Sequence, residues 1–235
     1  MTILIEILGS PGSGKTTLAN ELNIFLNKKG LPAYHSNNIK KYKSTDNNYN
    51  FIKKFYLFIN TSIFFFFYFI KFYKIYFIKK KISNNFFFRM LKLHFIHTYN
   101  INYLKKKFHK NEIIIMEPGP IMSFLHDYFY STFLVDKKLI TKFDNSYKFD
   151  LIICLSCDNQ LAYERINKRE SGPPLRMQNM NKLEMIEIIE SSKRNINEFL
   201  LTSDTKVINI NTKNLQPFEI TNKIYTKLLS LNIIS

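Results

Sequence analysis

Eight residues near the start of the chain, Gly9-Ser10-Pro11-Gly12-Ser13-Gly14-Lys15-Thr16, follow the pattern G-x-x-x-x-G-K-[ST]. The chemistry of that spacing is phosphate capture. The glycines let the backbone curl until successive N–H groups point inward at an anion, and a helix starting next to them adds the partial positive charge of its N-terminus. Lys15 then reaches the β- and γ-phosphates, the Thr16 hydroxyl ligates Mg²⁺, and Ser10, Pro11, Ser13 and Thr17 complete the wall. The whole chain holds 6 glycines, and three of them stand here, which disfavours a chance match in a glycine-rich turn. The motif predicts binding of ATP with Mg²⁺.

Two further groups of residues could act on a bound phosphate. Glu117 follows an apolar, β-branched run, Ile113 to Met116, and a carboxylate there could hold a Mg²⁺ water or accept a proton from an attacking hydroxyl. Its competing reading is a helix-capping or solvated glutamate. Arg165 and Arg169 lie four apart on an expected helix, with Lys168 beside them, and Arg176 follows the break Gly172-Pro173-Pro174. Such a pattern suits a lid over residues 159–180 whose arginines close on the transferring phosphoryl group. Basic residues on a helix also solvate a surface, which is the alternative. His94 and His97 are three apart, but without matched ligands nearby a metal pair is disfavoured. His35 and His126 fall near expected strand ends with nothing to single them out.

These residues need elements to hold them. Ile3 to Leu8 reads as a strand, Thr16 to Lys29 as a helix with Leu18, Leu22, Phe25 and Leu26 at helical spacing, and Gly30 and Pro32 as its stop. Ala33 to Ser36, Glu112 to Met116, Asp150 to Cys157 and Val207 to Ile210 read as further strands. Helices are expected at 121–134, 137–143, 160–169, on the stripe Met185 to Leu200, and at 218–231, with Asp158 capping the one at 160. Residues 40–110, aromatic and lysine-rich with no glycine, read as a helical insertion turning near Ser83 to Asn85. Alternation of strand and helix predicts an α/β fold with a parallel sheet covered on both faces, built as one domain.

With 235 residues the chain is long enough for such a core. The net charge of +16 would ordinarily suggest nucleic acid, but a composition skewed to Phe, Tyr, Ile, Lys and Asn is what an AT-rich coding sequence produces, so that partner is disfavoured. Cys154 and Cys157 are too few for a disulfide framework, and their place in an apolar strand favours a core role over a redox one. The strand starting at Thr2 leaves no room for a leader, from which a cytoplasmic location is expected. Phe55 to Ile70 carries no charge, yet it is short of a membrane span and interrupted by Asn60, Thr61 and Ser62. Residues 55–78 are therefore read as a buried or interface helix, with membrane contact as the alternative and a homodimer compatible with either.

With the loop at Gly9 to Thr16, the acid after the third strand and the lid arginines in that order, the chain resembles the nucleoside and nucleoside-monophosphate kinases, in their thymidylate-kinase-like or deoxynucleoside-kinase-like branch. The resemblance implies a P-loop NTPase fold: a five-stranded parallel sheet of order 2-3-1-4-5, helices on both faces, and phosphoryl transfer from ATP to a small-molecule acceptor. In it Lys15, Glu117, Arg165 and Arg169 would be catalytic, Arg176 a further lid arginine, and Thr16 and Glu117 the metal side. The chain departs from that branch in two places. Pro118 stands where an arginine commonly follows the acid, and no carboxylate occurs at Tyr34 to Asn38. A nucleotide-dependent switch or membrane-associated ATPase, and a polynucleotide end kinase, are the alternative functions.

Overall fold

The computed structural model describes residues 2–36, 84–107, 112–129, 147–174 and 177–234. Five strands form one parallel sheet: β1 (Ile3–Gly9), β2 (Ala33–His35), β3 (Ile113–Met116), β4 (Leu151–Ser156) and β5 (Val207–Asn211), in the order β2-β3-β1-β4-β5. The described helices are α1 (Lys15–Lys28), α2 (Asn84–Lys107), α3 (Pro120–Phe129), α4 (Asn159–Asn167), α5 (Lys182–Leu200) and α6 (Pro217–Ser230). The chain divides into two compact units. One comprises Met1–Asn37 with Lys110–Ser235 and carries the whole sheet; the other is Asn38–His109.

Side chains alternate across a strand, so β1 feeds two separate layers. Ile5 and Ile7 are fully buried with Leu18, Leu22 and Leu26 of α1 and Ile220, Ile224 and Leu228 of α6. Leu4, Glu6 and Leu8 face the other way and are equally buried, on the side where α3 and α5 pack. A smaller cluster of Cys157, Ala162, Ile166, Met177, Met185 and Ile189 joins α4 to α5. Asn181 and Glu184 start α5 with a reciprocal capping box, their side chains exchanging bonds of 3.0 and 2.8 Å with each other's main-chain N–H.

The central place of β1 determines where chemistry can occur. β1 pairs with β3 on one side, Glu6 opposite Met116, and with β4 on the other, Gly9 opposite Leu155. The connections leaving these strands depart to opposite faces, which opens a crevice at their carboxyl ends. The Gly9 loop, Glu117 and the segment after Ser156 all stand along that edge.

Several local expectations are corrected. α4 ends at Asn167, not Arg169, because the chain turns there: Arg169 N bonds Ile166 O at 3.4 Å and Gly172 N bonds Arg169 O at 2.9 Å. Arg169 therefore lies just past the helix that carries Arg165, although both line one cleft. Asp158 occupies the N-cap position of α4 without capping it, since its carboxylate pairs at 2.6 Å with Lys213 instead. α2 begins at Asn84, within the stretch where the insertion is expected to turn, and Ser83 lies outside the described residues. The remaining arm of the expected insertion, the 55–78 segment, the expected helix at 137–143 and Arg176 lie outside the described residues. No described helix is long and apolar enough to cross a membrane.

Candidate active site

The loop after β1 is braced from beneath. Ser13 N donates to Ser10 O at 3.2 Å, and Leu18 N to Gly14 O at 2.9 Å begins the ladder of α1. Gly12 sits at φ +77°, and a Cβ there would lie 2.3 Å from the Ala162 carbonyl oxygen, so only glycine lets the loop rest on the backbone of α4. Ser10 and Ser13 are 1% and 0% exposed, and their hydroxyls have no hydrogen-bond partner among the described residues. A buried hydroxyl without a partner costs about 1–3 kcal/mol, which an anion's oxygens would relieve. Thr16 and Thr17 are exposed on the first turn of α1.

Lys15 folds back over this loop, its ammonium donating to Gly9 O at 2.7 Å and Ser10 O at 3.0 Å. Two of its three N–H bonds are used there, which leaves one for a ligand. Removal from water brings its pKa down to about 8; the Glu117 carboxylate opposes the shift and the Arg169 guanidinium adds to it. Glu117 and Arg169 thus both act electrostatically on the Lys15 ammonium, which connects these three residues to one site.

Glu117 itself is 5% exposed, and its main chain is held by the last residues of the β2 segment. Its N–H donates to Ser36 Oγ at 3.0 Å, and its carbonyl lies 3.3 Å from His35 Nε2. His35 is buried, and burial lowers its pKa despite the nearby carbonyl and carboxylate of Glu117. Its other ring nitrogen, Nδ1, lies 3.0 Å from Asn20 Oδ1, so both ring nitrogens face oxygens and the single N–H of a neutral imidazole serves one of them. The Glu117–Pro118 bond that follows is cis.

Beside the loop opens a cleft of 560 Å³. Gly12 to Gly14, Thr17 and Leu18 form one wall, Arg165, Lys168 and Arg169 a second, and Thr212 to Pro217 a third. Arg165 is not a loose arm. Its Nη1 and Nη2 donate to the hydroxyl and the carbonyl of Thr212, each at 3.0 Å. The Lys213–Asp158 pair holds down the third wall.

The chain aligns along its length with solved structures of other proteins. The YorR protein of Bacillus subtilis, in complex with phosphorylated GDP, is 13% identical over 99% of both chains with a TM-score of 0.51. The fold is that of the P-loop NTPases. Shikimate kinase from Acinetobacter baumannii in complex with shikimate aligns over 100% of this chain and 97% of its own, at 14% identity and a TM-score of 0.49. Deoxyadenosine kinase from M. mycoides with bound dCTP aligns over 97% and 100%, at 16% identity and a TM-score of 0.46. No protein-family model and no curated protein matches the chain.

Within this P-loop fold the predicted residues divide by position. Gly9 to Thr17, Lys15 and Glu117 gather around the loop, whereas Arg165 belongs to the cleft. Arg169 lies between the two, lining the cleft while its charge reaches Lys15. Cys154 and Cys157 are free and buried, with Cys157 Sγ 4.0 Å from Gly12 O, in keeping with packing under the loop. No group of three or more His, Cys, Asp or Glu that could hold a metal occurs among the described residues. The donors that suit Mg²⁺ are the exposed Thr16 hydroxyl and the Glu117 carboxylate, hard oxygens of the kind that ion takes alongside phosphate and water.

Three contributors escaped the sequence. Glu6 is fully buried in β1, and its carboxylate accepts from Ile121 N at 3.3 Å and Met122 N at 2.7 Å at the start of α3. A lone carboxylate inside an apolar strand was the available signal, since such a charge must find partners. Ser36 and Thr212 carried only the weaker signal of standing at carboxyl ends of strands.

Proposed function

We propose that this chain is a phosphotransferase that binds ATP with Mg²⁺ and moves its γ-phosphoryl group to a small-molecule acceptor. The observation that carries the reading is the loop itself: two buried, unpartnered hydroxyls and the Lys15 ammonium at the start of α1, opening onto a cleft walled by Arg165, Lys168 and Arg169. The cleft has room for a nucleoside whose phosphates extend over the loop.

In this mechanism the N–H groups at the start of α1 and the hydroxyls of Ser10 and Ser13 take the phosphate oxygens, and Lys15 leaves the Gly9 and Ser10 carbonyls for the β- and γ-phosphates. Thr16 and Glu117 would hold Mg²⁺, which when bound neutralises charge on the β- and γ-oxygens. Glu117 orients the acceptor hydroxyl and accepts its proton as the acceptor oxygen bonds to γ-phosphorus and the bond to the β–γ bridging oxygen breaks, leaving ADP. Arg169, already within electrostatic reach of Lys15, spreads the charge of the transferring group, and Arg176 serves as a further arginine there.

The acceptor classes to test first are nucleosides and nucleoside monophosphates, with a thymidylate-kinase-like or deoxynucleoside-kinase-like preference, in a cytoplasmic setting. ADP release should be followed across a panel of such acceptors and small alcohols. Lys15→Ala should lose about 10²–10³ in rate, the scale of removing one charge-stabilising donor. A Lys15→Ala protein that turns over as fast as the parent would refute the mechanism.

A further inference from the structure

Arg165 is fixed by a residue remote from it in sequence. Thr212, directly after β5, is 3% exposed and receives both guanidinium bonds, one on Oγ1 and one on its carbonyl. Its own N–H donates to the Ser156 carbonyl at 2.8 Å. Its hydroxyl lies 3.2 Å from that same carbonyl and 3.3 Å from the Ser13 carbonyl inside the phosphate loop. A hydroxyl has one hydrogen, so it accepts from Arg165 and donates to Ser156 or Ser13. One side chain therefore ties the end of β4, the loop and α4 together.

We propose that Thr212 is a positioning residue for the nucleoside end of the ligand, holding Arg165 as a preset wall of the cleft in register with the phosphate loop. The inference rests on the reading that the cleft takes the nucleoside of a triphosphate. An unrestrained arginine would have to be ordered on binding, and a bidentate clamp removes that cost beforehand. The guanidinium is planar, so once immobilised it suits stacking against a planar base. The phosphates meet the loop directly and depend far less on Arg165.

That asymmetry gives the test. Binding of MgATP and of inorganic tripolyphosphate with Mg²⁺ is measured by calorimetry on the full chain. Thr212→Val, which keeps the shape and loses the hydroxyl, should weaken ATP about tenfold while tripolyphosphate changes less than about threefold. Thr212→Ser should recover most of the loss. Arg165→Met should reproduce the ATP-only loss, and adding Thr212→Val to it should cost little more, because both remove one interaction. Should Thr212→Val fail to fold, Arg165→Met and Thr212→Ser carry the same two-ligand comparison. Unchanged ATP binding in Thr212→Val, equal loss of both ligands, or fully additive losses in the double variant would each overturn the proposal. A parent chain that binds neither ligand would bring down the phosphate-loop reading first, and this inference with it.

Discussion

Lys15 shows how far one residue's surroundings decide its chemistry. Desolvation holds its pKa near 8, against the ordinary 10.5, so the folded chain releases this proton before the unfolded chain does. Between about pH 8 and 10.5 the unfolded state holds more protons, and the contribution of Lys15 to stability rises with pH; below 8 burying the charge is a constant cost. Phosphate binding has the opposite requirement, since it needs the ammonium. ATP should therefore be bound without net protonation at pH 7 and with uptake approaching one proton at pH 9. Calorimetry in two buffers of different ionisation enthalpy reads this directly, and an absence of uptake at pH 9 would mean that Lys15 is either still charged there or away from the phosphates. The identity of Lys15 was legible in eight residues of sequence because the motif is local. Glu117 and Arg169 were legible as candidates too, but that their charges meet at Lys15, and that His35 and Ser36 bond the Glu117 main chain, was not, because these contacts join residues about 80 positions apart or more.

At the scale of elements, every strand was readable, most of them as short apolar runs between turn signals, while the sheet order followed from the family resemblance. What could not be read was how the helices attach to the sheet edge. The start of α3 is the case in point. Glu6 reaches from β1 to two N–H groups of that helix, and Gly119 permits the approach, since a Cβ there would lie 2.4 Å from Glu6 Cδ and 2.6 Å from Oε1. Neither partner can retreat, as both are buried. Gly119→Ala should destabilise the fold by roughly 2–4 kcal/mol, through overpacking and displacement of a buried carboxylate. Glu6→Ala, which strands the Ile121 and Met122 N–H groups, should cost about 3 kcal/mol, and Glu6→Gln, which keeps an acceptor, clearly less. Urea unfolding midpoints decide it, and a neutral Gly119→Ala would show that this contact does not hold α3 in place. The misjudged end of α4 has the same origin, because its last turn answers to Gly172 and the following prolines instead of to helix propensity.

For the molecule as a whole, the loop after β1, the Arg165–Thr212 clamp and the turn leading into α6 come from three distant stretches of chain yet line one cleft. A ligand that spans them stabilises the sheet-bearing unit against unfolding by RT ln(1 + [L]/Kd), about 2.7 kcal/mol at a hundredfold excess over Kd. For a chain of this length that corresponds to a rise in Tm of roughly 5–10 °C. The net charge of +16 offers a competing cause, since any polyanion relieves self-repulsion in so basic a protein. The two causes separate through Lys15→Ala, which removes the loop's ammonium and leaves nearly all of the charge. MgATP should raise the Tm of the parent by that amount and of Lys15→Ala by a small fraction of it, with amide exchange slowed mainly at residues 9–18 and 211–217. Equal rises in both proteins, fading together as salt is added, would mean that ATP acts as a counterion cloud and that the cleft holds nothing.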